Sequence, residues 1–513
     1  MILRSSDNGL SDNGDSTTST SGTSTSGNGS SSSSISTATS IHRSNSPLRH
    51  QVSDTSNNPP QGQYETVFNQ LVEAVRSHLA ASDYHFTMSL TGEDSQFTRF
   101  NGAKVRQSGS VCDGQLRLTL MSSDRTTATR VPFTGYFQAD WALTQQALQV
   151  LQAELPLLPI DPYVVLPEAS NSSPNASSHQ SREVRQGALL PPQNVAKTLI
   201  DAVKTLDFSG LYAGGIAYRA YGDSAGKSHW FEAPSFTLDY SLFGQESNQA
   251  AKGVFAGQVW DLAAYQKTVA ETQRQLALLS RPSKAIPKGT YRTYLAPAAV
   301  ADLFDTIIYG GLGEAALRQG NSAFRKLETG EVTLSEKFSL AENFQKTSVP
   351  RFNSNGVIAP NQLSIIQGGK WVQSLVSARS AKEYGKASNA ANASESMRAP
   401  VVAPGKIPTA EVLKHLDTGL YLSNLHYLNW SDLAAGRITG MTRYACFWVE
   451  DGEIVAPIEN LRFDDDLYRF LGEGLLGLTD TQTFIPMVDT YERRALGGLW
   501  MPGMLIDQFR YTL

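Results

Sequence analysis

The chain has 513 residues, 40% of them hydrophobic and 18% charged, with a formal net charge of −5. That length supports two to three domains with a sizeable core, and so small a charge excess gives no reason to expect nucleic acid or a membrane surface as partner. Two cysteines, Cys112 and Cys446, are too few for a disulfide framework, which fits a reduced cytoplasmic setting.

The first residues, MILRSSDNGL, contain no apolar core of a signal peptide. No run of 18 apolar residues occurs, so no membrane-spanning helix is expected. Residues 1–62 are dominated by Ser, Thr, Gly, Asn and Asp and read as a disordered tail, because they cannot bury enough apolar surface to offset ordering entropy. Tyr64, Val67, Phe68, Leu71, Val75 and Leu79 then recur at helical spacing. Short runs at His85–Leu90, Phe97–Gly109 and Gln115–Met121, split by Gly and Asp, read as strands and hairpins. A second helix is predicted over Ala139–Glu154. Helix, strands and helix make residues 63–166 an N-terminal α/β domain.

Residues 167–190, which include PEASNSSPNASSHQSRE, read as a linker, and residues 191–513 as a central and C-terminal β-rich domain. Within it, a helix carries Val195, Leu199 and Val203. A strand, a turn and a strand occupy Asp207–Phe243. Helices are predicted near Trp260–Leu279 and at Pro297–Tyr309, the latter with proline at its first turn.

Several motifs invite chemistry. Gly222-Asp223-Ser224-Ala225-Gly226 fits the G-x-S-x-G pattern that exposes a nucleophilic serine, but it lies between two strands, where a hairpin turn is the expected reading. His229 and Glu232 are three apart on a strand and so face opposite sides. Gly310-Gly311-Leu312-Gly313 lacks the Lys-Ser/Thr of a phosphate loop and reads as a glycine-rich helix end. Asp464-Asp465-Asp466 lacks Ca²⁺-loop spacing and reads as a solvated turn. Cys446 sits in an apolar strand and reads as a buried, inert thiol. None of the eight histidines has another within six residues, so the chain has no helical H-E-x-x-x-H metal site.

The C-terminal region carries GLYLSNLHYLN at Gly419–Asn429 and GRITGMTRYACFWVE at Gly436–Glu450, followed by DGEIVAPIENLRFDDDLYRFL. These segments resemble the TldD/PmbA family of metalloprotease-related proteins, with its T-G-x-[ST]-R stretch and the following G-E-I-x-x-P-I-x-N-x-R-F. FTRFNGAKVRQSG, HWFEAPSFTLDYSLF, KGVFAGQVWD, SARSAKEYG and NAANASESMRAP extend the likeness from about Tyr64 to the C-terminus. The resemblance implies an α+β fold, in which an α/β N-terminal domain precedes a larger, β-rich, barrel-like C-terminal domain.

Some members of the family bind a metal through H-E-x-x-x-H and a later Cys, and others lack these residues and pair with the first kind. A gapless placement sets Asp305 and Thr306 where His-Glu would stand and Gly310 where the second His would, and LGGLWMPGMLIDQF holds no Cys. The chain therefore resembles the metal-free, PmbA/TldE-type member. No catalytic, metal-binding or cofactor-binding residue and no cofactor is assigned. The implied role is a partner subunit, without activity of its own, in a hetero-oligomeric protease acting on unfolded peptides, its partner an H-E-x-x-x-H-bearing TldD-type paralogue. Two alternatives stand beside it. One is an independently active peptidase with a non-standard site, using His229, Glu232, His415 and His426 or a Ser224 nucleophile. The other is a peptide-binding homodimer without proteolytic activity.

Overall fold

A computed structural model describes residues 62–168, 179–203, 206–244, 249–309 and 311–512. The expected tail, apart from Gly62, lies outside them, as does the middle of the expected linker.

The first half is built from α1 (Gln63–Leu79), β1 (His85–Asn101), β2 (Lys104–Met121), β3 (Thr126–Phe133), α2 (Phe137–Glu154), β4 (Gln180–Val184), α3 (Pro192–Asp201), β5 (Asp207–Asp223), β6 (Ser228–Phe243), β7 (Ala250–Gly257) and α4 (Leu262–Leu279). The strands form one sheet in the order β3-β2-β1-β5-β6-β4, with β7 paired to β6. Alternation sets its faces: Phe86, Met88 and Leu90 of β1 and Leu116, Leu118 and Leu120 of β2 are buried with the apolar stripes of α1 and α2. A second cluster under α3 and α4 takes Phe208, Tyr212, Leu238 and Tyr240.

β1 and β2 are far longer than the short runs predicted, because Gly92, Asp94, Asp113 and Gly114 stay within the ladder and do not break it. At Gly92 a Cβ would lie 2.2 Å from the Tyr218 ring, so glycine is there to admit a neighbour. The hairpin turns at Gly102 and Ala103, both at positive φ, the pattern of a type I′ turn.

This sheet crosses the division placed at residues 166 and 191. Gln180–Val184, expected in the linker, pairs in parallel with β6, and β5–β7 continue the sheet begun by β1–β3. A strand edge satisfies backbone groups that a linker would leave to water, which polar composition alone cannot reveal.

The second half contains β8 (Gly289–Leu295), α5 (Pro297–Ile308), α6 (Glu314–Arg318), α7 (Arg325–Glu328), β9 (Leu340–Asn343), β10 (Gln362–Gln367), β11 (Lys370–Trp371), α8 (Ala378–Tyr384), β12 (Pro400–Val402), α9 (Val412–Leu416), β13 (Gly419–Asp432), β14 (Arg437–Glu450), β15 (Glu453–Pro457), β16 (Arg462–Asp466), α10 (Leu467–Phe470), β17 (Leu475–Pro486) and β18 (Gly498–Tyr511). The fold is mixed α+β, with the β-rich C-terminal half expected. β8 pairs with both β13 and β18, and the path β13-β14-β16-β18 closes the ring. α5 packs into this core through Ala299, Val300, Leu303, Phe304, Ile307 and Ile308. Each large apolar side chain buried there contributes about 1.5–3 kcal/mol.

The two sheets are joined by the segment between β17 and β18. Its Arg494, 3% exposed, enters the first sheet and forms an ion pair with buried Glu93 at 3.3 Å. The guanidinium also donates to Ser95 Oγ at 2.8 Å, to the Ser235 carbonyl at 3.2 Å and to the Gly215 carbonyl at 3.1 Å.

Candidate functional site

α5 is the helix on which the resemblance places the family's metal ligands, and its polar residues do not converge there. Asp305 is exposed and Thr306 half-buried, while Gly310 lies outside the described residues. Asp302, one turn earlier, faces β13, where one carboxylate oxygen accepts from the Leu425 N–H at 2.9 Å and from Asn424 Nδ2 at 3.3 Å. Burial raises its pKa above the usual carboxylate range, against the lowering effect of these bonds and of Lys252. Among the described residues no group of three His, Cys, Asp or Glu side chains could hold a metal ion. The residues of α5 therefore do not fit a zinc site, which needs three or four convergent donors.

The glycine-rich segment after α5 leads into α6 as a helix end, the reading its sequence suggests. Glu395 sits beside it, accepting from Ala315 N in the first turn of α6 at 2.8 Å and from Ser377 N ahead of α8 at 2.8 Å. At Gly313 a Cβ would lie 2.7 Å from the Glu395 side chain, so glycine permits this closure.

Ser224 is part of a hairpin turn. Its hydroxyl accepts from Phe86 N at 3.3 Å, and Asp223 ties the turn by accepting from Ala225 N and Lys227 N. Among the described residues no imidazole is bonded to it, and the serine does not sit on a strand-to-helix elbow.

His229 is buried. Its Nε2 donates to the Gly356 carbonyl at 3.0 Å, and Nδ1 accepts from Ser181 Oγ at 2.9 Å. Its ring stacks on Phe352 with centroids 5.2 Å apart. Burial lowers its pKa, which favours the neutral ring that this donor–acceptor pairing requires. The partner carbonyl belongs to a turn with Gly356 at φ 65°. Glu232 takes a bond from Trp230 Nε1 instead, so the two residues do not share a site.

The three aspartates depart from the solvated turn expected. They lie on β16 and at the start of α10, and each has its own task. Asp464 pairs with Arg437 at 2.6 Å, buried Asp465 pairs with Arg469 and accepts from Arg510 N, and Asp466 caps α10 by accepting from Tyr468 N. A carboxylate with a guanidinium partner can be buried where a bare one cannot. Cys446 is buried, and burial pushes its thiol up to about 11, as an inert cysteine requires. His415 is on α9, 3.9 Å from Glu411.

One site was not singled out in the sequence. β13 and β14 lose register between Leu422 and Asn424 and again between His426 and Asn429. Tyr427 and Tyr444 adopt positive φ, 51° and 61°, at these irregularities. Non-glycine residues are uncommon there, and such strain concentrates at functional positions. Arg443 is exposed; its guanidinium donates to His426 Nδ1 at 3.1 Å and lies 4.8 Å from the Tyr444 ring centroid. Burial, then the neighbouring Arg443, lowers the pKa of His426. Two adjoining cavities of about 510 and 460 Å³ meet at Ser241, Phe243 and Tyr444. They form a groove between the first sheet and the bulged β13–β14 pair. Arg443 falls in the ITGMTR segment (Ile438–Arg443), but no periodicity rule foretells a bulge.

Residues 288–512 match the family described as the PmbA/TldA metallopeptidase C-terminal domain. No curated protein sequence matches the chain. Among solved structures, the chain is similar to TldE from Thermococcus kodakarensis, at 13% identity and a TM-score of 0.70, with 87% of this chain and 100% of that one covered. It is similar to a protein described as a candidate modulator of a DNA gyrase from Thermotoga maritima MSB8, at 13% identity and a TM-score of 0.69, with 87% and 100% covered. A third, described in like terms and from Bacteroides thetaiotaomicron VPI-5482, is 14% identical with a TM-score of 0.67, over 86% and 98%. At these identities the structures speak for the fold. The family match itself is confined to residues 288–512.

Proposed function

We propose that this chain is a metal-free partner subunit of a hetero-oligomeric, cytoplasmic metalloprotease that acts on unfolded peptides. The observation that carries the reading is the chemistry of α5. Where the resemblance calls for paired imidazoles, the helix offers exposed Asp305 and half-buried Thr306, and half-buried Asp302 is engaged by β13. A metal held by a partner would supply the activated water. This chain would complete the chamber and hold extended peptide, for which the outer strand of the first sheet, β3, offers strand addition. The chain would then be a pseudoenzyme, and its dimer a heterodimer with the H-E-x-x-x-H paralogue.

The test is co-purification from the native source. Recovery with an H-E-x-x-x-H homologue at fixed stoichiometry is expected. Recovery alone, as a stable homodimer, would overturn the reading and favour the peptide-binding homodimer.

A further inference from the structure

The groove between the first sheet and the bulged strands has a charge that the rest of the chain does not share. Four cationic side chains line it (Arg99, Arg106, Lys252 and Arg443) against two acidic ones, Asp239 and Glu459. That is a net excess of positive charge on a chain whose net charge is −5. Lys252 is paired with Asp239 at 3.2 Å. Arg99 and Arg106, exposed on the β1–β2 hairpin, have no acidic partner among the described residues. Among the described residues Arg443 has the acceptor on His426 and the face of Tyr444.

The arrangement around Arg443 is specific. A guanidinium presents a planar fork of donors that matches a carboxylate bidentately. Here His426 takes one donor and the Tyr444 ring lies beside the guanidinium, leaving the other donors for a ligand. Tyr444 itself holds a left-handed backbone at φ 61°. The rest of the lining mixes polar side chains, among them Asn101, Ser209 and Ser241, with apolar ones such as Phe243, Leu211 and Ile458. Nucleic acid would meet the two carboxylates of the walls and too few cations for a phosphate backbone. An extended peptide with separated carboxylates can meet one arginine on β14 and two on the β1–β2 hairpin.

We infer that this groove binds the carboxylates of an extended peptide, with Arg443, Arg99 and Arg106 as their partners. The inference rests on the peptide-handling role proposed above. It names a site that acts through side-chain charge, separate from strand addition and from α5.

The test is fluorescence anisotropy of the full chain with labelled ten-residue peptides. One carries Asp and Glu and is amidated at its C-terminus, one has Asn and Gln in their place, and one is the Asn/Gln peptide with a free C-terminal carboxylate. The acidic peptide, the free-carboxylate peptide or both bind at least tenfold more tightly than the amidated Asn/Gln peptide, and which of them does so identifies the source of the carboxylate. In Arg99→Gln/Arg106→Gln/Arg443→Gln that preference disappears while Tm stays within a few degrees. Arg443→Gln alone weakens binding, and Arg443→Lys restores only part of it, since an ammonium lacks the fork. Equal binding of all three peptides, or an unchanged preference in the triple variant, overturns the inference. So does a single-stranded oligonucleotide that binds more tightly than any peptide with the same arginine dependence. Co-purification with a metal-bearing homologue is independent of these outcomes, so the groove can fail while the partner role stands.

Discussion

Several residues that look catalytic in the sequence are engaged in local packing and turn contacts. His229 is held on both ring nitrogens and Ser224 closes a turn. Both readings were legible from local context, because strand alternation and turn composition are short-range signals. Asp302 was not legible, because its partners lie more than 120 residues away on β13. Its pKa is raised above the ordinary 3.8 by burial. The folded state therefore binds this proton more tightly than the unfolded state does. The group costs nothing while both states are protonated, and it lowers stability as pH climbs from the ordinary value through the raised one. Asp302→Asn keeps an acceptor for Leu425 N and removes that ionisation. Urea unfolding is expected to show the variant at least as stable as wild type at pH 7.5, with any advantage shrinking towards pH 4. A variant less stable at pH 7.5 by several kcal/mol would mean that the charge itself is required.

At the scale of elements, periodicity located α1, α2, α4 and α5 well, since each carries one apolar face over several turns. The strands came out too short in the sequence. Gly92, Asp94, Asp113 and Gly114 read as breaks, yet all lie inside the β1–β2 ladder. The bulges of β13 and β14 were invisible, because a register slip is decided by what the paired strand needs and not by local propensity. Tyr427 makes this testable. It is 68% exposed and holds φ 51°, a conformation that costs an L-residue about 1–2 kcal/mol. Tyr427→Gly should match or exceed wild-type Tm. Tyr427→Val should fall below it, since β-branched residues resist positive φ most. The reverse order in differential scanning calorimetry would show that the tyrosine ring stabilises the bulge.

At the scale of the whole molecule, sequence reading placed the larger β-rich region last but could not see how it closes. Ring closure depends on β8 meeting β18 across about 200 residues, and no local pattern encodes that pairing. Nor could it see the buried Glu93–Arg494 pair, which joins residues 401 positions apart. Burial lowers the pKa of Arg494, while the attraction of Glu93 favours the charged form. Removing one partner leaves an uncompensated buried charge, at a cost of about 3–5 kcal/mol. Arg494→Met should lose stability on that order. Glu93→Gln/Arg494→Met should recover part of it, with a coupling of more than 1 kcal/mol in a double-mutant cycle. Additive losses would show that the two charges do not depend on each other.

The proposed role is to support peptide cleavage without performing it. The most direct test is reconstitution: peptide hydrolysis measured for the purified chain alone, for a separately purified H-E-x-x-x-H homologue from the same genome, and for the mixture, with bound metal quantified in each. A partner subunit of this kind should show no hydrolysis and no stoichiometric metal alone, a complex in the mixture, and hydrolysis there that is lost when the homologue's metal ligands are substituted. Hydrolysis by this chain alone, or a mixture in which it neither binds the homologue nor changes its activity, would contradict that role.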